Sequence, residues 1–356
     1  MAEPLVFQAT LADLPALSFG LQPLEQVRLI LSGESVIDWR KMAFTRHSEV
    51  DDFLRVSGFE PYDPVDVAQI QSVHSRALDY LTRTFDEKPH DGVADPDDIR
   101  DLFLLASQPG PAQRDACRML KVMHVIHHVD GRELLFRMPV ALSDLFHKVE
   151  QRVFGAIDGM KAAGVRVVEF AGSRKTQDSI LTKLLARRDS LAAEVHDKLR
   201  FRIVTEDLGD TFAALSHMAA HLFPFNYVVP GAARNDLIDF RRTIEGDPTF
   251  AALKSLLQFP IDREEIKDRN QANIFSAKGF KMINFVVDLP VRVEDLIPHI
   301  PDYRPEFGRI VFTLVEFQLM DRVTDEQNAS GDNRHSLYKA RQHKRVHERL
   351  EGTSED

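Results

Sequence analysis

Hydrophobic residues recur at helical spacing through the first 145 residues of this chain. The clearest case has apolar side chains at Val67, Ile70, Val73, Ala77 and Leu81. Intervals of three or four positions are typical of the buried face of a helix. Residues 98–106 and 112–128 are predicted as further helices, with Pro- and Gly-containing breaks before them. This part is therefore predicted to be mostly helical.

The pattern changes after a long amphipathic helix that is predicted at residues 142–163 and ends at Gly164. Alternating and β-branched runs follow, and these are typical of strands. The predicted strands are residues 165–170, 199–205, 225–230, 280–289 and 309–320. A helix is predicted at residues 207–222. This order predicts an α+β fold, in which a mixed sheet is flanked by helices and preceded by a helical domain.

Three regions follow from these patterns. Residues 1–145 form the predicted helical N-terminal domain, residues 146–325 the sheet domain, and residues 326–356 a basic helical tail. Residues 239–275, within the sheet domain, are polar and charged and contain Pro260. This stretch is interpreted as an insertion.

The amino-acid composition disfavours several classes of protein. The net charge of −10 argues against a generic nucleic-acid binder, which is usually basic. Cys117 is the single cysteine, so intramolecular disulfides are excluded and a cysteine-based zinc site is disfavoured. No apolar run is long enough to cross a membrane, and the N-terminus lacks the features of a signal peptide. A cytoplasmic location is expected.

Basic residues concentrate between residues 174 and 202, where a helix is predicted to start. Cations and helix-terminal N–H groups hold phosphates, and carboxylates bring Mg²⁺ to them. Asp197 leads into one predicted strand and Glu316 lies near the end of another. The segment therefore predicts phosphate chemistry, although carboxylates at strand ends and a solvated basic helix face also explain these residues.

Three histidines, His124, His127 and His128, have a spacing that is known from metal sites. No acidic or cysteine partner follows at a convincing distance along the chain, so a structural or regulatory role is favoured.

Five motifs resemble, in this order, the synthetase domain of RelA/SpoT-type alarmone synthetases. Residues 172–175 read Gly-Ser-Arg-Lys where that family has Gly-Arg-x-Lys, and residues 179–183 read Ser-Ile-Leu-Thr-Lys where it has Ser-Ile-x-x-Lys. Residues 195–202 place an aspartate and an arginine at the family's spacing. Residues 235–238 and 279–284 follow in the family's order. The last motif is Glu-Phe-Gln-Leu at residues 316–319, where the family has Glu-Ile-Gln-Ile.

The resemblance implies a nucleotidyltransferase-like fold and Mg²⁺-dependent transfer of pyrophosphate from ATP to the 3′-hydroxyl of GDP or GTP. It implies catalytic and metal-binding roles for Asp197 and Glu316. The substrate contacts that it implies are Arg174, Lys175, Ser179, Lys183, Arg202, Phe280, Asn284 and Gln318. Among them, Arg202 matches an arginine that stacks on the donor base, and Phe280 matches a tyrosine that stacks on the acceptor base.

The sequence departs from the family pattern at Ser173, Met282, Asn284 and Met320, which replace an arginine, a serine, a histidine and an arginine. A shifted loop is needed if Arg174 is to replace the missing arginine. The resemblance therefore supports binding of the ATP donor better than binding of a guanosine nucleotide as the acceptor. Two other functions stay open, a degenerate nucleotide sensor and a transferase that acts on an RNA 3′ end. The oligomeric state stays open too.

Overall fold

The computed structural model describes residues 21–32, 42–86, 88–138, 142–186, 199–240, 280–300, 302–330 and 335–351. Within these ranges the part before residue 167 is helical, and a five-stranded sheet follows it.

The helices of the N-terminal part are α1 (Leu21–Ser32), α2 (His47–Val56), α3 (Pro64–Phe85), α4 (Asp91–Ala94), α5 (Asp101–Ser107), α6 (Gln113–Arg137) and α7 (Leu142–Ala162). The sheet part comprises β1 (Val167–Arg174), α8 (Gln177–Ala186), β2 (Leu199–Thr205), α9 (Leu208–His221), β3 (Arg234–Asn235), β4 (Ile283–Arg292) and β5 (Ile310–Asp321). Two helices end it, α10 (Arg322–Asn328) and α11 (His335–Leu350). The predicted α+β architecture is confirmed.

Local chemistry fixes the helix ends around the sheet. Asp207 caps α9 by accepting a hydrogen bond from Asp210 N, and Asp321 caps α10 by accepting one from Thr324 N. Each carboxylate satisfies an N–H group that has no partner within its helix. Gly164 follows α7 with a φ of +94°, a conformation that side-chain-bearing residues rarely adopt. The chain can therefore turn from α7 directly into β1.

The strands are arranged in the order β1-β2-β5-β4-β3. β2 and β5 are parallel, whereas the other neighbouring strands are antiparallel, so the sheet is mixed. The register pairs Arg200 with Glu316 and Arg202 with Gln318 across β2 and β5, and it pairs Asn284 with Gln318 across β4 and β5. Because side chains alternate between faces, these five residues share one face of the sheet.

The opposite face of the sheet is apolar and carries a row of aromatic rings. Phe201 stacks on Phe170 and on Phe317, each at 5.8 Å between ring centroids, and Phe317 stacks on Phe285 at 5.6 Å. The helices α7 and α9 pack on this face. Such cross-strand aromatic contacts stabilise a sheet beyond simple burial.

The N-terminal helices cover half of the sheet face that carries Arg200 and Glu316. α6 packs on β5, where His128 stacks on Phe312 at 4.1 Å between ring centroids. The approach is close at Gly131, since a Cβ there would lie 2.5 Å from the Phe312 ring. The other half of this face holds Arg200, Glu316 and their neighbours, and we call it the polar half.

The structure corrects two predicted strands. Residues 225–230 were predicted as a strand, but Phe225–Tyr227 form a 3₁₀ helix and Val228 makes only an isolated bridge to Val287. Tertiary packing overrides the aromatic, β-prone composition here, because Phe225 and Tyr227 fill the core between α2, α6 and the sheet. The first strand extends to Arg174, beyond the predicted end at residue 170.

The predicted insertion at residues 239–275 lies almost wholly outside the described residues. The basic tail is a helix over His335–Leu350, as predicted. None of the helices that the structure describes combines the length and the hydropathy that a membrane span requires.

Candidate functional site

The polar half of the sheet brings together several residues that the motifs singled out. Glu316 and Gln318 come from β5, Arg202 from β2 and Asn284 from β4. The alternation that buries Phe201, Phe317 and Phe285 on one face places polar residues on the other. Four of the predicted site residues therefore lie next to one another although they are far apart in sequence.

Glu316 is the centre of this group, and protein donors bind both of its carboxylate oxygens. Arg200 Nε donates to Glu316 Oε2 at 2.9 Å, and Gln318 Nε2 donates to Oε1 at 3.1 Å. With its amide nitrogen turned toward β5, Asn284 also donates to Oε1 at 2.8 Å. The Glu316 side chain is only 9% exposed, so these bonds are shielded from water and hold the carboxylate in one place.

Arg202 lies beside this group and is bound by two carboxylates. Its Nη1 donates to Glu169 Oε1 of β1 at 2.6 Å, and its Nη2 pairs with Asp325 of α10. Both contacts use the edge of the guanidinium group. A planar group that is held by its edges is well placed to stack a ring on its face, which is the role predicted for Arg202.

The corner between β1 and α8 carries the predicted phosphate-binding residues. Lys175 and Thr176 connect the strand to the helix, and the Thr176 hydroxyl accepts a hydrogen bond from Ser179 N at 3.3 Å. Thr176 Oγ1 also donates to Ser179 Oγ at 3.1 Å. Lys183 lies in α8, and α11 of the basic tail packs against this helix. The strand–loop–helix arrangement predicted for phosphate binding is present here.

Arg174 is not part of the polar half. The strand continues straight through it without the shifted loop that the family pattern would require, and Arg174 pairs with Leu199 in the register. Its side chain therefore points to the apolar face, where Nε and Nη2 donate to Glu150 of α7, both at 2.8 Å. This hydrogen-bonded ion pair lowers the pKa of the Glu150 carboxyl below its usual value. Ser173, which precedes Arg174, faces the polar half instead, since it pairs with Arg200.

Phe280 lies three residues before β4 and is half-buried. Its backbone oxygen accepts a hydrogen bond from Arg234 Nη2 at 3.3 Å. Continued alternation from Asn284 places Phe280 on the face of the polar half. The predicted acceptor platform and Asn284 therefore share one edge of the site.

Asp197, the predicted partner of Glu316 in metal binding, lies outside the described residues. Within the ranges that the structure describes, no group of three or more acidic, histidine or cysteine side chains is arranged to hold a metal ion. Glu316 offers carboxylate oxygens, the donors that Mg²⁺ prefers, but both of them are bound by nitrogen donors in this structure.

Three residues of the site were not singled out from the sequence. They are Arg200, which binds Glu316, and Glu169 and Asp325, which bind Arg202. The sequence could have indicated Arg200, because it alternates with Phe201 in the same way as Arg202 does and is therefore predicted on the same face of the strand. Asp325 had none, because its position depends on how α10 folds back over the sheet.

The three histidines of α6 pack against side chains of the core. His124 lies 3.2 Å from Asn226 Nδ2, His127 packs against Phe59 at 4.8 Å between ring centroids, and His128 stacks on Phe312. Burial lowers the pKa of His127 to about 3, with a further contribution from the neighbouring His128. A structural role, one of the two alternatives that the sequence favoured, is consistent with this packing, and a regulatory role stays open.

Comparisons with known proteins complete the description. No protein-family model matches the chain, and no curated protein sequence matches it. Among solved structures, it is similar to small alarmone synthetase 2 from Bacillus subtilis, at 13% identity and a TM-score of 0.32, over 60% of this chain and 86% of that one.

It is also similar to small alarmone synthetase 1 from Bacillus subtilis bound to its product pppGpp. That likeness has 13% identity and a TM-score of 0.33, over 59% of this chain and 88% of that one. A GTP pyrophosphokinase family protein from Streptococcus pneumoniae gives 11% identity and a TM-score of 0.26, over 59% and 89%.

Proposed function

We propose that this protein transfers pyrophosphate from ATP to the 3′-hydroxyl of an acceptor nucleotide, with a guanosine nucleotide favoured. The observation that carries the proposal is the carboxylate of Glu316, which Arg200, Gln318 and Asn284 hold on the polar half of the sheet. A fixed carboxylate beside cations and a strand–loop–helix corner is what positioning and charge neutralisation in phosphoryl transfer require.

In this proposal Glu316 acts on the acceptor. The 3′-hydroxyl oxygen attacks the β-phosphorus of ATP, its proton passes to the Glu316 carboxylate, and AMP leaves with the electrons of the broken bond. Arg200 keeps the carboxylate oriented until the acceptor arrives. Phe280 supports the acceptor base, and Asn284 and Gln318 border the same position.

The donor is held on the other side of Glu316. Lys175, Ser179 and Lys183 are proposed to contact the donor phosphates at the β1–α8 corner, and Arg202 to stack on the donor base. The sequence resemblance also implies donor contact for Arg174, but its side chain lies on the opposite face in a bond with Glu150. Contact with the donor would require Arg174 to leave Glu150.

Magnesium is the cofactor that the proposal implies, and Glu316 and Asp197 are the residues proposed to hold it. The ion would supply positive charge that offsets the charge of the donor phosphates. The ion would share the Glu316 carboxylate with the nitrogen donors that bind its two oxygens.

A second candidate function is a sensor that binds nucleotide without turning it over. The contacts of Glu316 favour it, because the Arg200 guanidinium already neutralises the carboxylate that Gln318 and Asn284 also bind. In that case Arg200 would have replaced the metal as the partner of Glu316, and the fold would serve recognition alone.

One experiment separates the two candidates. Purified protein is incubated with γ-labelled ATP, Mg²⁺ and GDP, GTP, ATP or bulk tRNA, with Asp197→Asn as the control, and labelled products are resolved. A labelled nucleotide that is absent from the control supports pyrophosphate transfer, and label in tRNA would redirect the proposal to an RNA acceptor. ATP binding by calorimetry without any product would support the sensor and overturn the transferase.

A further inference from the structure

The backbone just before β4 is held by a side chain. Lys281 N donates to Asn328 Oδ1 at 3.1 Å, and Asn328 Nδ2 donates to Lys281 O at 2.7 Å. Asn328 is the last residue of α10 and only 6% exposed. One buried amide therefore satisfies both backbone groups of a single residue.

The register of the sheet explains why an amide fits there. The pairing of β4 with β5 ends at Ile283 and Leu319, and continued in step it would pair Lys281 with Asp321. Asp321 instead caps α10, so the backbone of β5 turns away at that point. A side-chain amide offers the same donor and acceptor as a peptide group, so Asn328 replaces the missing strand residue opposite Lys281.

The hydrogen bonds on the other side of the segment confirm that it is extended. Asp236 N donates to Met282 O at 3.1 Å, and Arg234 Nη2 donates to Phe280 O at 3.3 Å. Residues 280 and 282 thus bond toward β3, whereas Lys281 between them bonds toward α10. Alternation of this kind is that of a strand. The segment that carries Phe280 is fixed from both sides although it lies beyond β4.

We propose that Asn328 is a positioning residue for the acceptor, acting through Phe280. The inference rests on the proposed function, in which Phe280 supports the acceptor base. Without the amide, the Lys281 backbone loses its partners on the α10 side, and the hydrogen bonds that remain to this segment among the described residues are those from Arg234 and Asp236. The aromatic face is then less often in the geometry that the base requires, so acceptor binding weakens while the chemistry of the bound acceptor is unchanged.

The same short helix reaches the donor side of the site. Asp325, three residues before Asn328, pairs with Arg202, the residue proposed to stack on the donor base. Asn328 and Asp325 thus anchor α10 at two different points of the site. Loss of the Asn328 amide is expected to raise the KM for the acceptor. The KM for the donor shows whether the effect extends to the donor side of the site.

The test is steady-state kinetics of Asn328→Ala and Asn328→Asp with the acceptor and the donor varied in turn. Asn328→Ala is expected to raise the acceptor KM by about tenfold, with kcat and the donor KM within about twofold of wild type. Asn328→Asp keeps an oxygen that accepts the hydrogen bond from Lys281 N but turns a carboxylate oxygen toward Lys281 O. It is therefore expected to restore little of the wild-type KM for the acceptor nucleotide. Hydrogen exchange of residues 280–282 should rise in both variants, while β4 stays protected.

A double-mutant cycle with Phe280→Ala separates positioning from a general loss of stability. If Asn328 acts through Phe280, Asn328→Ala adds nothing to the acceptor KM of Phe280→Ala. Asn226→Ala is the matched control, because Asn226 is equally buried, contacts His124 and lies outside the site. It is expected to lower stability without changing the acceptor KM.

Each outcome has one meaning. An unchanged acceptor KM in Asn328→Ala, equal increases for donor and acceptor, or additive effects with Phe280→Ala overturn the positioning role while the transferase stands. If wild type lacks turnover, the same variants are compared for GDP binding by calorimetry, where weaker binding by Asn328→Ala supports the inference. Wild type that neither turns over nor binds GDP overturns both proposals.

Discussion

At the scale of single residues, the polar half of the sheet consists of charges that neutralise one another. Arg200 binds Glu316, and Arg202 binds Glu169 and Asp325, so each cation on β2 has a carboxylate partner in this structure. A phosphate group that enters would compete with these carboxylates for the guanidinium groups. These ion pairs therefore hold both guanidinium groups in place without leaving unpaired positive charge on β2.

Replacing Glu316 tests its proposed chemical role. Glu316→Gln keeps the size and hydrogen-bonding reach of the side chain but cannot accept a proton, so turnover is expected to fall by about 10²–10⁴-fold in the labelled-ATP assay. Asp288→Asn is the matched control, because Asp288 is a buried carboxylate on the same face that binds Arg132 of α6. It should retain turnover, and equal losses in both variants would contradict the special role of Glu316.

Burial of His127 predicts a pH-dependent stability. Its pKa is lowered to about 3 in the folded protein, against about 6.5 in the unfolded chain. The unfolded state therefore binds a proton first as the pH falls, so stability is complete above pH 6.5 and decreases between pH 6.5 and 3. The expected contribution is a loss of about 2 kcal/mol at pH 5 relative to pH 8.

Urea unfolding of wild type and His127→Phe, measured at pH 8 and pH 5, checks this contribution. The variant keeps an aromatic ring between Phe59 and Phe312 but removes the titrating group. Its stability should fall less steeply with pH by about 2 kcal/mol, whereas any difference at pH 8 reports packing alone. Parallel pH profiles for the two proteins would assign the acid sensitivity to other groups.

At the scale of elements, the close approach of α6 to β5 determines how much of the sheet face stays open. Gly131 permits this approach, since a Cβ there would meet the Phe312 ring at 2.5 Å and the Ile310 backbone oxygen at 2.8 Å. The helix thereby covers the half of the face around Phe312 and Asp288, and leaves the half around Glu316 to the site.

Glycine substitutions in two helices test this contact. Gly131→Ala is expected to destabilise the protein by roughly 1–3 kcal/mol, because α6 must move away from β5. Gly155→Ala in α7 is the control, since nothing lies within 4 Å of its added Cβ, and it should stabilise by up to about 1 kcal/mol. Both changes are measured by urea unfolding, and a neutral Gly131→Ala would mean that α6 is free to shift.

The strands also show which parts of the fold could be predicted from the sequence. β2 was predicted at its exact bounds because Phe201 and Ile203 alternate with Arg200 and Arg202, a pattern that depends only on local sequence. The strand at residues 225–230 was wrong, since packing of Phe225 in the core decided its conformation. Within the site, Glu316 and Arg202 were found from motifs, but the contact of Glu316 with Arg200 and the position of Arg202 beside Gln318 depend on the register between distant strands. Local patterns carry no information about that register.

At the scale of the whole molecule, the helical part and the sheet share one hydrophobic core among the described residues. Phe53 of α2 contacts Phe225 at 6.0 Å between ring centroids, and His128 of α6 stacks on Phe312 of β5. The half-buried Arg152 of α7 adds a polar link, because it donates to Val56 O at the end of α2 and to Pro290 O in β4. The boundary predicted near residue 145 therefore does not separate two independent cores.

A shared core predicts that the helical part and the sheet unfold together. Cys117, the single cysteine of the chain, is buried in α6, so its reaction with a thiol reagent reports opening of the helical part. Hydrogen exchange of peptides from Ile310–Asp321 reports opening of β5. Across a urea series the two midpoints are expected to coincide, because separating α6 from β5 would expose Phe312 and leave Asp288 without Arg132. If Cys117 reacts at urea concentrations where β5 is still protected, the helical part opens on its own. The half of the sheet face around Phe312 and Asp288 would then be accessible without global unfolding.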